Sequence, residues 1–410
     1  MPADAAAPPA GSKSGLWFVV IVVFINIAGF SLILPLLPFY GRELNASPVQ
    51  ITLLFAAYSF GNVFGEMWWG RASDKYGRKR ILMITTAGAA LGYVVFAFVP
   101  SLWLALLVRT ITGFFGGTFG VCQSYIADVT RPEDRPKSMG YFGAGINMGF
   151  VIGPAIGGLL AQPELGLAGF RPPIFVAAAI CGLAALWSTL VLRESQKPGA
   201  IRRAPDWSEA FRFVGANPLL LRLFALAFIG IGMFASTEAV FGLWTQHNFG
   251  WSTHEVGLSF IAVGATGLTV QLLLIGPLSR RYGEARVIVL GMVVLGLSML
   301  LQPILKQPIA SVVLMSTLMG GHSLAFANVG SLISRSTPPQ SQGSVLGLQM
   351  ATTAFSRIVV PPMVGFIYSA VTPDAPYFAC SLVMLGAVFI AIQAVGIREA
   401  ALRKQQAAAV

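Results

Sequence analysis

The sequence predicts an all-α membrane protein, with 12 transmembrane helices in two pseudo-symmetric six-helix bundles. Three observations predict it. Of the 410 residues, 55% are hydrophobic and only 10% are charged, whereas soluble domains carry about 25% charged residues. Twelve apolar segments are long enough to span a bilayer, at about 1.5 Å of rise per residue. The second half of the chain also repeats landmarks of the first.

The segments run over roughly 16–38, 50–70, 81–99, 102–127, 138–161, 172–192, 220–245, 255–278, 286–305, 308–333, 343–371 and 375–397. The repeat is fixed by glycines and prolines. Gly140, Pro154 and Gly158 return as Gly347, Pro361 and Gly365, all at a shift of 207 residues. Within one residue, the same shift carries Gly70, Asp74 and Gly77 onto Gly276, Arg280 and Gly283. The predicted organisation is a disordered cytoplasmic tail (1–13), an amino-terminal bundle (14–192), a cytoplasmic linker (193–219), a carboxy-terminal bundle (220–398) and a second cytoplasmic tail (399–410). The linker is rich in proline and basic residues, and Trp207 and Phe211 mark a short helix lying on the membrane surface.

The net charge of +11 does not indicate nucleic-acid binding, because the basic residues sit in short gaps between apolar runs. With the amino terminus inside, 22 basic residues fall on inner loops and tails and 3 on outer loops. That bias predicts both termini in the cytoplasm. The three cysteines, Cys122, Cys181 and Cys380, lie in apolar runs without paired spacing, so they read as free thiols. No metal motif or cofactor motif is present, and neither a nucleophile–base constellation nor an appended soluble domain supports an enzyme or a sensor.

The fifth segment is the most informative. Gly145, Gly149, Gly153 and Gly157 recur every fourth residue, with Gly158 adjacent and Pro154 in the stripe. Small residues let another backbone approach closely in lipid, and proline can bend the helix. The expectation is a tight seam, and specifically a seam between two halves that rock. The second segment ends in Gly70-Arg-Ala-Ser-Asp74-Lys-Tyr-Gly77-Arg78-Lys79-Arg80. Gly70 would permit close packing and Gly77 a tight turn. Asp74 is an acid among bases, either a local ion-pair partner or a lock that engages a helix amino terminus of the other half. Arg109 lies inside the fourth segment, where an arginine is costly unless paired, hydrated or snorkelling.

Taken together, these residues resemble the major facilitator superfamily, and within it the twelve-helix drug:proton antiporters that include tetracycline efflux pumps. The loop motif matches at Gly70, Asp74, Gly77, Arg78 and Lys79. The fourth-helix motif matches at Arg109 and Gly113, and the helix-one motif at Gly29, Pro35 and Pro38. The helix-five antiporter motif matches at Gly140, Gly149, Gly153, Pro154, Gly157 and Gly158. The resemblance implies the fold of that superfamily, alternating access, and a charge lock formed by Asp74, Arg78 and Asp128. One departure stands out. Tetracycline pumps usually carry an acid where this chain has Asn26, and asparagine cannot titrate, so any proton carrier must lie elsewhere.

Few titratable groups fall within spans: Glu66, Arg109, Glu238, His322 and Arg357. Glu238 is the first candidate for proton coupling, among Phe234, Phe241 and Trp244, aromatics suited to an amphipathic cation. Its alternative is a fixed pair with Arg357. Glu66 is a second candidate, or else a structural ion-pair member. His322 is a third, or a structural histidine. Asn26, Gln123, Asn147, Asn328 and Gln349 are isolated polar groups that either face a central cavity or bond between helices. The reading is a secondary active transporter that exports hydrophobic or cationic drug-like compounds in exchange for protons. A metabolite or lipid transporter of the same fold is the alternative. The implied partners are a small-molecule substrate, protons and the lipid bilayer, with no nucleic acid. The expected form is a monomer in a bacterial inner membrane.

Overall fold

A computed structural model describes residues 13–131, 134–192, 194–195, 207–338 and 341–408. The amino-terminal tail before residue 13, linker residues 196–206 and the last two residues lie outside it. Among the described residues there are twelve long helical units and no strand. They are α1 (Lys13–Ile33, continued by a 3-10 turn and Leu37–Glu43), α2 (Pro48–Tyr76), α3 (Arg78–Phe96), α4 (Leu102–Gly116 and Phe119–Val129), α5 (Arg135–Leu160), α6 (Arg171–Val191), α7 (Pro218–Phe249), α8 (Thr253–Thr269, continued to Tyr282), α9 (Glu284–Leu305), α10 (Pro308–Arg335), α11 (Gln342–Ala370) and α12 (Ala375–Ala408). A short helix, Trp207–Ala216, forms in the linker, with Ala210 and Val214 in the core and Phe211 exposed.

Eleven of these units are long and apolar enough to cross a membrane. The unit that falls short is α2, although it has 29 residues. Gln50, Ser59, Asn62 and Glu66 dilute its hydropathy. Its start is well specified: Ser47 and Gln50 form a reciprocal capping box ahead of Pro48. Large apolar side chains such as Leu91, Trp103, Leu190, Phe366 and Phe389 point outward, as a surface dissolved in lipid requires.

The repeat is visible in the packing. Helix α1 packs on α5 and α6, α2 on α4, and α3 on α6. In the second half α7 packs on α11 and α12, α8 on α10, and α9 on α12. The halves meet through α5 with α8 and α2 with α11. The end of the bundle that holds the α2–α3 turn and the start of α1 is called the terminal face below.

The glycine stripe of α5 corrects the expectation of a seam between halves. A Cβ on Gly145, Gly149, Gly153 or Gly157 would lie within 3 Å of α1, at Val20 O, Ile27, Ser31 Oγ or Leu32 O. Ser31 Oγ also donates to Gly149 O at 2.8 Å. The stripe therefore fuses α5 to α1 inside one half. The inter-half contact belongs to the next residue round the helix. A Cβ on Gly158 would stand 2.4 Å from the Gly257 Cα of α8. Its repeat partner Gly365 would collide with Thr52 of α2. Both junctions lie at the face opposite the termini. Toward the terminal face, a Cβ on Gly70, Gly140, Gly276 or Gly343 meets nothing within 4 Å. The close packing expected at Gly70 is thus absent in this conformation, which is shut on the far side and splayed on the terminal side.

Candidate functional site

The terminal-face cluster is built on the tight turn between α2 and α3. Gly77 turns the chain with φ of +96°, a region that disfavours side chains. A Cβ there would also strike the Glu194 carboxylate at 2.3 Å. Arg78, only 3% exposed as a side chain, pairs with Asp74 at 2.6 Å and Asp128 at 3.5 Å, and it also donates to Ser73 Oγ. The predicted trio of Asp74, Arg78 and Asp128 is assembled, with Asp74 engaging the cation one turn ahead. Sequence reasoning missed Glu194. Its carboxylate accepts the backbone N–H of Arg78 at 2.8 Å and of Lys79 at 3.2 Å, which caps the start of α3. A lone acid in the basic stretch after the sixth span was the available signal.

The second half carries a charge-swapped copy. Glu284 and Arg335 stand where the repeat puts Arg78 and Asp128, and they pair at 3.4 Å. Ser331 Oγ donates to Glu284 at 2.7 Å.

Midway along the helices, Glu66, Glu238, His322 and Arg357 are brought into one region between the halves. Arg357 on α11 lies within electrostatic reach of Glu238 on α7 and of Glu66 and Tyr58 on α2. Glu238 and Arg357 form no ion pair within 4 Å among the described residues, so the fixed pair considered from sequence is not made. All four charged or titratable side chains keep partly accessible surface, so they border open space. Phe234 stacks on His322 with ring centroids 4.3 Å apart, and Phe326 stacks on the other side at 5.1 Å. An anionic group beside a stacked aromatic platform is suited to a flat organic cation.

Glu66 has a second set of partners. Helix α4 breaks at Gly117-Thr118, and the Glu66 carboxylate accepts Phe119 N at 2.8 Å and Gly120 N at 2.9 Å. Trp69 Nε1 donates at 2.8 Å to Phe114 O on the other side of the break. Asn26 Nδ2 reaches Val22 O at 3.1 Å and Thr118 Oγ1 at 3.5 Å. The asparagine thus ties α1 to the break. Asn147 donates to Gln271 Oε1 at 2.6 Å, an amide bridge between α5 and α8. Gln271 sits in a π-helical turn, Val270–Leu274, a local widening that re-aims side chains.

Arg109 does not snorkel. It is 1% exposed, with its guanidinium carbon 4.7 Å from the Tyr58 ring and about 6 Å from those of Phe30 and Phe96. Its Nε donates to Leu54 O at 3.4 Å. Cation–π contacts with three rings hold the charge in place of a counter-ion.

Three cavity candidates are corrected. Trp244 is fully buried, donates Nε1 to Asp374 Oδ1 at 2.7 Å, and packs on Phe249 and Tyr377. Asp374 also pairs with Lys306 at 2.5 Å, so Trp244 anchors loops at the far face. Phe241 is fully buried between Trp251 and Phe260. Both are buried because α7 is packed nearly all round at this level. Asn328 is satisfied by Leu324 O and Ser279 Oγ, a bond between α10 and α8. Gln349 is buried, and Gln123 partly so.

The family model for the Major Facilitator Superfamily matches residues 19–246 and 227–409. The chain belongs to that superfamily. It is 30% identical to a tetracycline resistance protein, class H, of Pasteurella multocida, over 91% of this chain and 93% of that one. It is 26% identical to multidrug resistance protein 1 of Bacillus subtilis (strain 168), over 89% of this chain and 92% of that one. Among solved structures it matches a bacterial homolog of the human lysosomal transporter Spinster, inward-facing and unoccupied. There the TM-score is 0.75 at 16% identity, covering 94% of this chain and 96% of that one. At that identity the likeness speaks for the fold alone.

Proposed function

We propose that this superfamily member is a drug exporter working by proton-coupled antiport, and that its substrates are hydrophobic or cationic. The observation that carries the reading is that Arg357 lies within electrostatic reach of two carboxylates, Glu66 from one half and Glu238 from the other. The open space they border lies between bundles that must tilt past each other. When a carboxylate in such a place binds a proton it gives up its hold on a cation, and a cationic substrate and a proton then exclude one another. Glu238 is the proposed exchange site, with Phe234 and His322 as its aromatic wall. Arg357 is the internal cation that keeps the carboxylate company when neither ligand is bound. Relatives named for tetracycline and multidrug resistance support export as the direction.

The terminal face is proposed as the cytoplasmic face of a bacterial inner membrane, supported by its excess of basic residues. The bundles, 14–192 and 220–398, are the proposed moving bodies, and the Arg78 and Glu284 clusters the parts that pin their inner ends. The working unit is proposed as a monomer. The test is transport in proteoliposomes with an imposed pH gradient, across a panel of hydrophobic cations, dyes and tetracyclines. Gradient-driven movement of a cation supports the reading. Movement that ignores the gradient removes proton coupling.

A further inference from the structure

The break in α4 leaves backbone groups at membrane depth that need partners from within the protein or from a cavity it lines. One short stretch of α2 supplies partners for both sides of the gap. Glu66 accepts the N–H groups of Phe119 and Gly120, which open the second segment. Trp69, one turn on, donates to the Phe114 carbonyl at the end of the first segment, which otherwise accepts only the Gly117 N–H of the closing turn at 3.3 Å. The helices are pressed together to make this possible. A Cβ on Gly65 would lie 2.1 Å from Phe114 O, and one on Gly117 would lie 2.4 Å from Glu66 N. The carboxylate is therefore the amino-terminal cap of a half-helix, held by backbone contact on both sides.

We propose that the α4 break is a proton-responsive hinge, with Glu66 as the group whose protonation loosens it. The inference rests on the proton-coupled reading above. An ionised carboxylate offers two accepting oxygens, one for each N–H. When a proton from water adds to one oxygen, that oxygen becomes a hydroxyl donor and only the carbonyl oxygen accepts well. One of the two N–H groups then loses its partner, and the charge that favours a helix amino terminus is gone. The groups facing Glu66 come from three helices. Arg357 of α11 is the cation across the inter-half space. Tyr58 lies two turns earlier on α2, and Cys122 lies on the capped segment itself. Of these, Arg357 belongs to the other half, so tilting of the bundles changes the field at Glu66. The hinge thereby links the position of one half to the shape of a helix in the other. The second segment of α4 ends beside Asp128, which pairs with Arg78, so a shift at the break is transmitted to the terminal-face cluster.

The test is hydrogen–deuterium exchange on the full-length protein in lipid nanodiscs, read on peptides covering residues 117–122 and corrected for the intrinsic pH dependence of exchange. In the wild type, protection is expected to fall about tenfold or more as the pH drops through the titration of Glu66, the size expected for loss of a charge-assisted bond. Glu66→Gln should show the low protection at every pH. Protection that is constant with pH in the wild type, or an unchanged pH profile in Glu66→Gln, would overturn the proposal. Should the variant fail to fold, the wild-type profile alone decides. Gradient-driven transport is measured on the same preparation. Pumping without a pH-dependent hinge sinks this inference alone, and a pH-dependent hinge without pumping sinks the functional reading instead.

Discussion

Gly158 and Gly257 face each other so closely that a Cβ on either would lie about 2.5 Å from the other's Cα. This glycine pair closes the far end of the interface between the two halves. Gly365 against Thr52 closes the other edge in the same manner, as the internal repeat requires. Substituting Gly257→Leu should prop the far side open. A cysteine placed at the neighbouring, fully buried Thr253 should then be labelled at least tenfold faster by an impermeant maleimide. Labelling at the unaltered rate would show that the pair is not the closure.

Arg78 is a buried cation with two carboxylate partners. Removing it takes away the cation that Asp74 and Asp128 share, and because both carboxylates keep part of their surface exposed the cost is about 1–3 kcal/mol. Arg78→Gln should lower the melting temperature in detergent by several degrees. Substitution of Gly77 to alanine should also destabilise, through its positive φ and the collision with Glu194, and truncation of Glu194 should partly relieve that second effect. A Gly77→Ala protein as stable as the wild type would contradict the account of this turn.

Trp244 serves as an anchor in this account, not as a substrate contact. Trp244→Phe keeps the packing and loses the bond to Asp374. It should cost about 1 kcal/mol of stability and leave KM for any substrate within about twofold. A large change in KM with unchanged stability would return Trp244 to the cavity.

Asn147 and Gln271 form a polar bridge between α5 and α8. A double-mutant cycle with Asn147→Ala and Gln271→Ala should give a coupling of about 0.5–1.5 kcal/mol on stability. Both single variants should shift the balance away from the conformation closed on the far side, as read by the same maleimide assay. Strict additivity would mean that the bond contributes nothing.

The spans, the duplication and the loop motif were legible because each rests on local chemistry: apolar length, repeated glycines, and charge next to a turn. The stripe Gly145, Gly149, Gly153 and Gly157 was legible as a seam, but its partner was not, since sequence spacing defines a face without saying which helix it meets. Gly158, one residue later, turned out to face the other half. Trp244 and Phe241 sit near Glu238 in sequence, but both side chains are fully buried in packing, and Trp244 is also bonded to Asp374. Glu66 reads from sequence as a proton-coupling candidate or a structural ion-pair member, and its capping role is not legible there. Its partners are two N–H groups that become available only because a neighbouring helix breaks. Glu194 escaped notice because its ligands are main-chain atoms more than a hundred residues away.

The central claim is that a proton and a cationic substrate compete at Glu238. The direct measurement compares wild type and Glu238→Gln in proteoliposomes, first as substrate counterflow without a gradient and then as accumulation driven by an imposed pH gradient. The account predicts that the variant keeps counterflow and loses gradient-driven accumulation. Full accumulation in Glu238→Gln would contradict it.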